Sequence, residues 1–382
     1  MTLRTGFPNR MPGAGGFVVI DLAAIARNYL RLCDLAPSAT VGAVVKADAY
    51  GLGAEQVCDV LQAAGCRLFF VAHLFEALNI APRLTSGARL IILNGLQPGT
   101  EVLCADHAIV PVLNSLEQAS RWVNLAETRG ERLPAVLQVD SGMSRLGLSL
   151  EDLSALSAGG SLAALDLQFL MSHLACADVP DHPLNAIQLE VLGTASGLFP
   201  ALPVSLANSG GVFLGPAYGG AIARPGIALY GGAPTSNRDN PMDAVVSLHV
   251  DVIQTRSVRA GTFVGYGGAS ITERDMRLAT LSAGYADGLP RSLSPMGAAW
   301  FGDTRLPIVG RVSMDSITVD ISALPEGAVG PGSRIELIGP HQSLDTIASD
   351  AGTISYEILT RLGRRFHREY RWPAKIEPLR QA

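Results

Sequence analysis

VGAVVKADAYGLGAEQVCDVLQAAGCRLFFV, residues 41–71, decides the fold. It opens on an apolar run, passes through an amphipathic helix-like stretch (AEQVCDVLQAAG, 54–65) and closes on a second apolar run. Neither run alternates with polar residues. Strands that are apolar at every position are buried on both faces, as parallel strands are when their crossover helices cover them.

The same unit recurs from Phe17 to about Gly231. The runs are FVVIDL (17–22), VGAVVKA (41–47), RLFFVA (67–72), RLIILN (89–94), AIVPVL (108–113), AVLQVD (135–140), LQFLMSHL (167–174), PVSLANS (203–209) and ARPGIALYG (223–231). Helix-like segments such as SLEQASRWVNLAETRG (115–130) separate them. Eight or nine βα units predict an α/β fold, a (β/α)8 TIM barrel rather than an open dinucleotide-binding sheet. No GxGxxG opens any helix, which counts against the open sheet.

A break at GGAPTSNRDNPMDA (231–244) ends the pattern. Beyond it SLHVDVIQTRSV, ITVDIS and SRIELIG alternate apolar and polar residues, which predicts antiparallel β structure. One helix is expected within residues 343–362. The predicted division is a flexible lead-in (1–16), a barrel (17–243) and a mostly β C-terminal domain (244–382).

Composition narrows the function. A net charge of −5 argues against nucleic-acid binding. No apolar run reaches bilayer-spanning length, and the N-terminal residues lack the apolar core of a secretory signal. Five cysteines (Cys33, Cys58, Cys66, Cys104, Cys176) form no CxxC pair and are odd in number, which suits free thiols in a cytoplasm. The seven histidines show no ligand spacing, so no metal is expected.

Of the 29 lysines and arginines only two are lysines, Lys46 and Lys375. Arginine replaces lysine as a surface cation but stays protonated, whereas a lysine amine can lose its proton and form a Schiff base. Lys46 ends a buried strand and is the candidate nucleophile; Lys375 reads as solvated surface. A barrel gathers active groups at the C-terminal ends of its strands. Lys46, Arg145 (VDSGMSRLG), His173 (MSHLACAD), Ser209 (ANSGG) and Arg224 (RPGI) all fall at such positions. Singly, each fits ordinary core or turn chemistry. As a set they point to one face. The Ser209 hydroxyl and the amides of Gly226 and Ile227 suit a phosphate. A lysine amine beside a phosphate pocket suggests pyridoxal phosphate.

With those residues placed, the chain from about Phe17 to Tyr370 resembles the pyridoxal phosphate-dependent alanine racemases of fold-type III. The motifs are AVVKADAYGLG, VDSGMSRLG, SHLACAD, ANSGG, RPGIALYGG, SAGYADGLPR, VGRVSMDSITVDIS and TISYEILTRLGRR, in family order. The resemblance implies interconversion of L- and D-alanine by a homodimer with shared active sites. Lys46 would hold the cofactor. Tyr50, Asn208, Ser209, Gly226, Ile227 and Tyr356 would line its phosphate end, Arg224 would face the pyridine nitrogen, and His173 would lie beside the ring. Lys46 would take the α-proton of D-alanine, and Tyr285 of the partner subunit that of L-alanine. Arg145, which would also contact the cofactor, and the partner's Met314 and Asp315 would hold the substrate.

Three departures stand out: Gln138 where many members carry a carbamylated lysine, Ser313 before the Met-Asp pair, and the glycines of ANSGG. Gln138 leaves open whether an anion or a direct amide hydrogen bond steadies Arg145. Serine or broader amino-acid racemisation remains an alternative, as does a decarboxylase of the same fold. A barrel-only cofactor-binding protein is disfavoured by the second domain. Supply of D-alanine for peptidoglycan and catabolism of L-alanine are both compatible with the chain.

Overall fold

The computed structural model describes residues 13–374 apart from 237 and 295. Lys375 and residues 1–12 of the expected lead-in lie outside the described residues. The chain divides into two compact units, one comprising residues 23–243 and the other residues 13–22 with 244–372.

In the first unit, seven strands form one parallel sheet in sequence order: Ala43–Val44, Leu68–Val71, Arg89–Ile92, Val110–Leu113, Leu133–Gln138, Leu165–Met171 and Val204–Ser205. Ile222–Ala223 closes the ring. On one side the amides of Thr40, Gly42 and Val44 donate to the carbonyls of Ala221, Ala223 and Pro225 at 2.8, 2.9 and 3.0 Å. On the other, Ala221 and Arg224 amides donate to Val204 and Ala207 at 2.7 and 2.8 Å. Consecutive residues such as Phe69–Phe70, Ile91–Ile92 and Val136–Leu137 are all buried. One member of each pair faces the barrel interior and the other the helices, which is why the runs show no polar alternation.

The run FVVIDL departs from expectation. Its apolar pattern predicts a barrel strand, but Gly16–Asp21 belongs to the second unit. There it pairs antiparallel with Val246–Val258 (Phe17 opposite His249, Ile20 opposite Val246) and parallel with His367–Arg371. Gly16 to Ile20 are buried on both faces, so the strand carries the same uninterrupted apolar signature as a barrel strand. Removing it leaves eight barrel strands.

Val246–Val258 is the hub of the second unit. It also pairs antiparallel with Met276–Leu281 and Arg334–Ile338. Residues 246–252 alternate between buried and half-buried, the pattern read from the sequence. The single helix expected near the end is two, Leu344–Asp350 and Ser355–Arg361. Gly352 between them takes φ +66°, a left-handed conformation that ends the first helix. No helix among the described residues is long and apolar enough to cross a membrane.

Candidate active site

The strand Ala43–Val44 delivers Lys46 to the barrel mouth, and the backbone then does something its residue types do not announce. Ala47, Asp48, Ala49 and Tyr50 all adopt left-handed conformations, φ 53–57°. For residues with a Cβ this costs roughly 1–2 kcal/mol each, and such strain persists only where the surroundings enforce it. They do so here. The Ala47 amide donates to Glu76 Oε1 at 2.6 Å, the Asp48 carboxylate accepts from the Ala54 amide at 2.7 Å, and the Ala49 amide donates to the Val45 carbonyl at 2.9 Å. Glu76 Oε2 also accepts from Ala72 and His73 at 2.7 and 3.0 Å, tying the turn to the end of the next barrel strand.

The electrostatics shift the Lys46 amine toward its neutral form. Burial lowers the Lys46 pKa, the Arg145 charge lowers it further, and Glu76 opposes both. His173 is pushed down to about 3 by burial and by Arg224, Arg145 and Lys46, so its imidazole is neutral. Such mutual effects require proximity, so Lys46, Arg145, His173 and Arg224 are neighbours in the first unit.

Arg224 is 3% exposed. Its Nη2 donates to the Ser172 carbonyl at 2.6 Å and its Nη1 to Ser205 Oγ. Burial, with no carboxylate paired to it among the described residues, pushes it down to about 10, so it remains a cation at neutral pH. Serines supply its supports. Ser205 Oγ donates to the Ile222 carbonyl at 2.8 Å, and Ser172 Oγ lies 2.6 Å from Ser141 Oγ. Gln188 links Ser141 to the His173 carbonyl at 3.2 and 2.8 Å.

Beside this cation the chain builds a polar cup. Asn208 caps the turn Ser209–Phe213, accepting from the Gly211 amide at 3.0 Å and donating to the Leu174 carbonyl at 3.1 Å. Ser209 Oγ accepts from the amides of Gly226 and Ala228 at 2.9 and 3.2 Å. A hydroxyl that accepts twice still has its own proton to donate. Position 226 must lack a Cβ, because one built there would stand 2.2 Å from the Tyr50 phenol oxygen. The Tyr50 ring packs on Tyr230 (centroids 4.7 Å apart), whose hydroxyl donates to the Val44 carbonyl at 2.8 Å. Ile227 follows in a buried turn. Tyr50, Asn208, Ser209, Gly226 and Ile227 therefore share one region.

Arg145 is exposed on a loop that is internally braced. Asp140 Oδ1 accepts from the amides of Gly142, Met143 and Ser144 at 2.9, 3.0 and 3.1 Å. The Gln138 side-chain Nε2 donates to the Leu146 carbonyl at 3.1 Å. Gln138 thus steadies the loop backbone next to Arg145 rather than the guanidinium.

The other predicted residues lie in the second unit. Tyr285 (44% exposed) and Met314 (52% exposed) are held together there: the amides of Tyr285 and Ala286 donate to the carbonyls of Ser313 and Met314 at 3.0 and 2.9 Å. The Asp315 carboxylate is engaged by Arg365 Nη1 at 2.7 Å. Tyr356 is exposed on the helix Ser355–Arg361. Sequence reasoning missed Glu76, Ser172, Ser205, Gln188 and Tyr230. The one signal available was polar residues set inside apolar runs.

A parallel barrel whose mouth carries an amine of lowered pKa, a buried cation and a hydroxyl-lined cup, in a chain with a second β unit, defines the class: a barrel protein with ionisable groups gathered at its strand ends. Comparison with known proteins narrows it. Residues 20–234 match the alanine racemase N-terminal domain, and residues 245–370 the alanine racemase C-terminal domain. A catabolic alanine racemase of Agrobacterium fabrum is 58% identical over 362 residues, 94% of this chain and 93% of that protein. An alanine racemase of Brucella abortus is 51% identical over 385 residues, 97% of each chain. A crystal structure of alanine racemase from Bartonella henselae with covalently bound pyridoxal phosphate superposes with a TM-score of 0.90 at 41% identity, covering 94% of this chain and 99% of that one. The chain belongs to the alanine racemase family and is an amino-acid racemase.

Proposed function

We propose that the protein interconverts L- and D-alanine with pyridoxal phosphate held by Lys46, in a homodimer whose subunits share active sites. The observation that carries this is the barrel mouth itself: an amine of lowered pKa, a buried cation with no carboxylate paired to it among the described residues, and a polar cup built by Asn208, Ser209 and Gly226. The donor set fits the cofactor. The Ser209 proton, the Tyr50 hydroxyl and the Ile227 amide suit its phosphate, and Asn208 shapes the turn that offers them. Arg224 suits the pyridine nitrogen, which a permanent cation keeps unprotonated. The covalently bound pyridoxal phosphate of the Bartonella relative supports the same assignment. Bound there, the cofactor supplies a sink for the electron pair left when the α-proton departs.

The chain's own groups would do the rest. Lys46 Nζ, once freed by the incoming substrate amine and biased toward its neutral form, would take the α-proton of D-alanine. The partner subunit's Tyr285, acting as its phenolate, would take that of L-alanine from the opposite face and become the neutral phenol. Arg145 and the Met314 amide hold the substrate carboxylate, and neutral His173 adds no further charge beside them. Phe263, Tyr266, Tyr285 and Met314 are all large, exposed side chains of the second unit, which supports a partner surface there. The five free thiols support a reducing cytoplasm. Peptidoglycan supply is one use for the D-alanine; the name of the Agrobacterium relative favours a catabolic one.

The test is to incubate the cofactor-loaded protein with L-alanine in D2O and follow chirality and Cα deuterium together. D-alanine appearing with solvent deuterium is the expected result. Intact L-alanine alongside racemised serine would replace alanine as the substrate.

A further inference from the structure

Tyr285 sits in a turn wedged between two other stretches of chain. On one side, a Cβ at Gly284 would stand 2.3 Å from the carbonyl oxygens of Ser313 and Met314. On the other, a Cβ at Gly288 would stand 2.0 Å from the Arg361 carbonyl, and the Gly363 amide donates to the Asp287 carbonyl at 2.9 Å. One guanidinium ties all three stretches. Arg365 Nε and Nη2 form a fork on Asp287 Oδ1 and Oδ2 at 2.7 and 2.8 Å, while Nη1 reaches Asp315 Oδ1 at 2.7 Å. Asp287 is 4% exposed, and its Oδ2 also accepts from the Gly284 amide at 2.9 Å. Its carboxylate therefore closes the turn that carries Tyr285.

The backbone couples that turn to Met314. The Ser313 carbonyl accepts from the Tyr285 amide. A trans peptide is planar, with its N–H opposite its carbonyl. Fixing the Ser313 carbonyl toward Tyr285 thus fixes the Met314 N–H away from it. A displacement of the Tyr285 turn would re-aim the Met314 N–H as well.

We infer that Arg365, acting through Asp287 and Asp315, is a positioning residue that sets the Tyr285 hydroxyl and the Met314 N–H as one rigid body. The inference rests on the racemase chemistry proposed above. Stability alone is a poor account of the Asp315 arm of the clamp. The Arg365 and Asp315 side chains are 52% and 62% exposed, and exposed ion pairs contribute little. Geometry is a better one: only a guanidinium can fork onto one carboxylate and reach a second.

The experiment compares Arg365→Lys, Asp315→Asn and Tyr285→Phe in the cofactor-loaded full chain. Enantiomers have equal free energy, so kcat/KM falls equally in both directions for any variant. The two bases are separated instead by deuterium exchange at Cα without inversion, started from each enantiomer. Arg365→Lys is expected to keep its cofactor absorbance and its melting temperature within a few degrees. Racemisation should fall roughly 10- to 100-fold, as misplacement of a reacting group by about an ångström predicts. KM for alanine should rise, and exchange should persist for D-alanine while falling for L-alanine. Asp315→Asn, which keeps the Asp287 fork, should show the same pattern more weakly. Unchanged exchange from both enantiomers in Arg365→Lys overturns the inference, as does equal loss from both together with a large drop in melting temperature. Racemisation surviving in Tyr285→Phe overturns instead the reading on which the inference rests.

Discussion

The turn after Lys46 and the turn that carries Tyr285 are both single turns closed by a carboxylate, yet they are held by opposite means. At Lys46 four residues with side chains are forced into left-handed backbone, and Glu76 and Asp48 accept the amides that hold them there. At Tyr285 the glycines yield instead, letting backbones approach more closely than a Cβ permits, and Arg365 locks the result from outside. The barrel turn grows from a ring of hydrogen-bonded strands that can sustain local strain. The Tyr285 turn lies outside any strand, and the Arg365 side chain adds to the backbone hydrogen bonds that hold it. A group fixed by strained backbone is hard to displace. One fixed by a clamp is placed by a few replaceable contacts.

The largest effects come from the two groups themselves. Lys46→Ala is expected to lose the absorbance of the lysine-bound cofactor and to lower racemisation by roughly 10⁴-fold or more, and Tyr285→Phe by roughly 10²- to 10⁴-fold with absorbance intact. Retained absorbance in Lys46→Ala would remove the nucleophile assignment.

The supports come next. Glu76→Ala leaves three amides without their acceptor and should cost about 1–3 kcal/mol, read as a lower urea midpoint. It also removes the one charge that raises the Lys46 pKa, so the amine should titrate still lower. If neither quantity moves, the left-handed turn holds itself and the contrast with Tyr285 fails.

The smallest effect is a pH slope. A histidine ordinarily titrates near 6.5, and His173 is held down to about 3 in the fold. Above pH 6.5 it is neutral whether folded or unfolded and contributes nothing. As pH falls from 6.5 toward 3 the unfolded chain binds the proton first, and stability is lost. The slope from one proton is at most about 1.4 kcal/mol per pH unit. Urea midpoints of the apoprotein between pH 6.5 and 5 should therefore fall less steeply in His173→Gln than in the parent chain.

Much of the fold was legible because burial on both faces leaves an unbroken apolar run. FVVIDL shows the limit of that signal. A strand inside a mixed sheet is buried on both faces too, so nothing local told it from a barrel strand. Within the candidate site, rarity and placement single out Lys46 in the sequence, and positions at strand ends single out Arg145, His173, Ser209 and Arg224. The residues that hold them do not stand out. Glu76 and Arg365 look like any surface charge until the chain around them folds, and Arg365 is one of 27 arginines.

By itself, then, the sequence determined the alternation of strand and helix, the change to β structure after residue 243 and the chemical groups at the strand ends. These depend on local patterning and residue type, which are properties of the linear chain. Only the tertiary structure decided which sheet claimed residues 16–21, that Ala47 to Tyr50 turn left-handed, and that one arginine joins Asp287 to Asp315. Each of these is set by contacts between residues far apart in sequence, whose energies exceed local preference only once the chain has closed on itself.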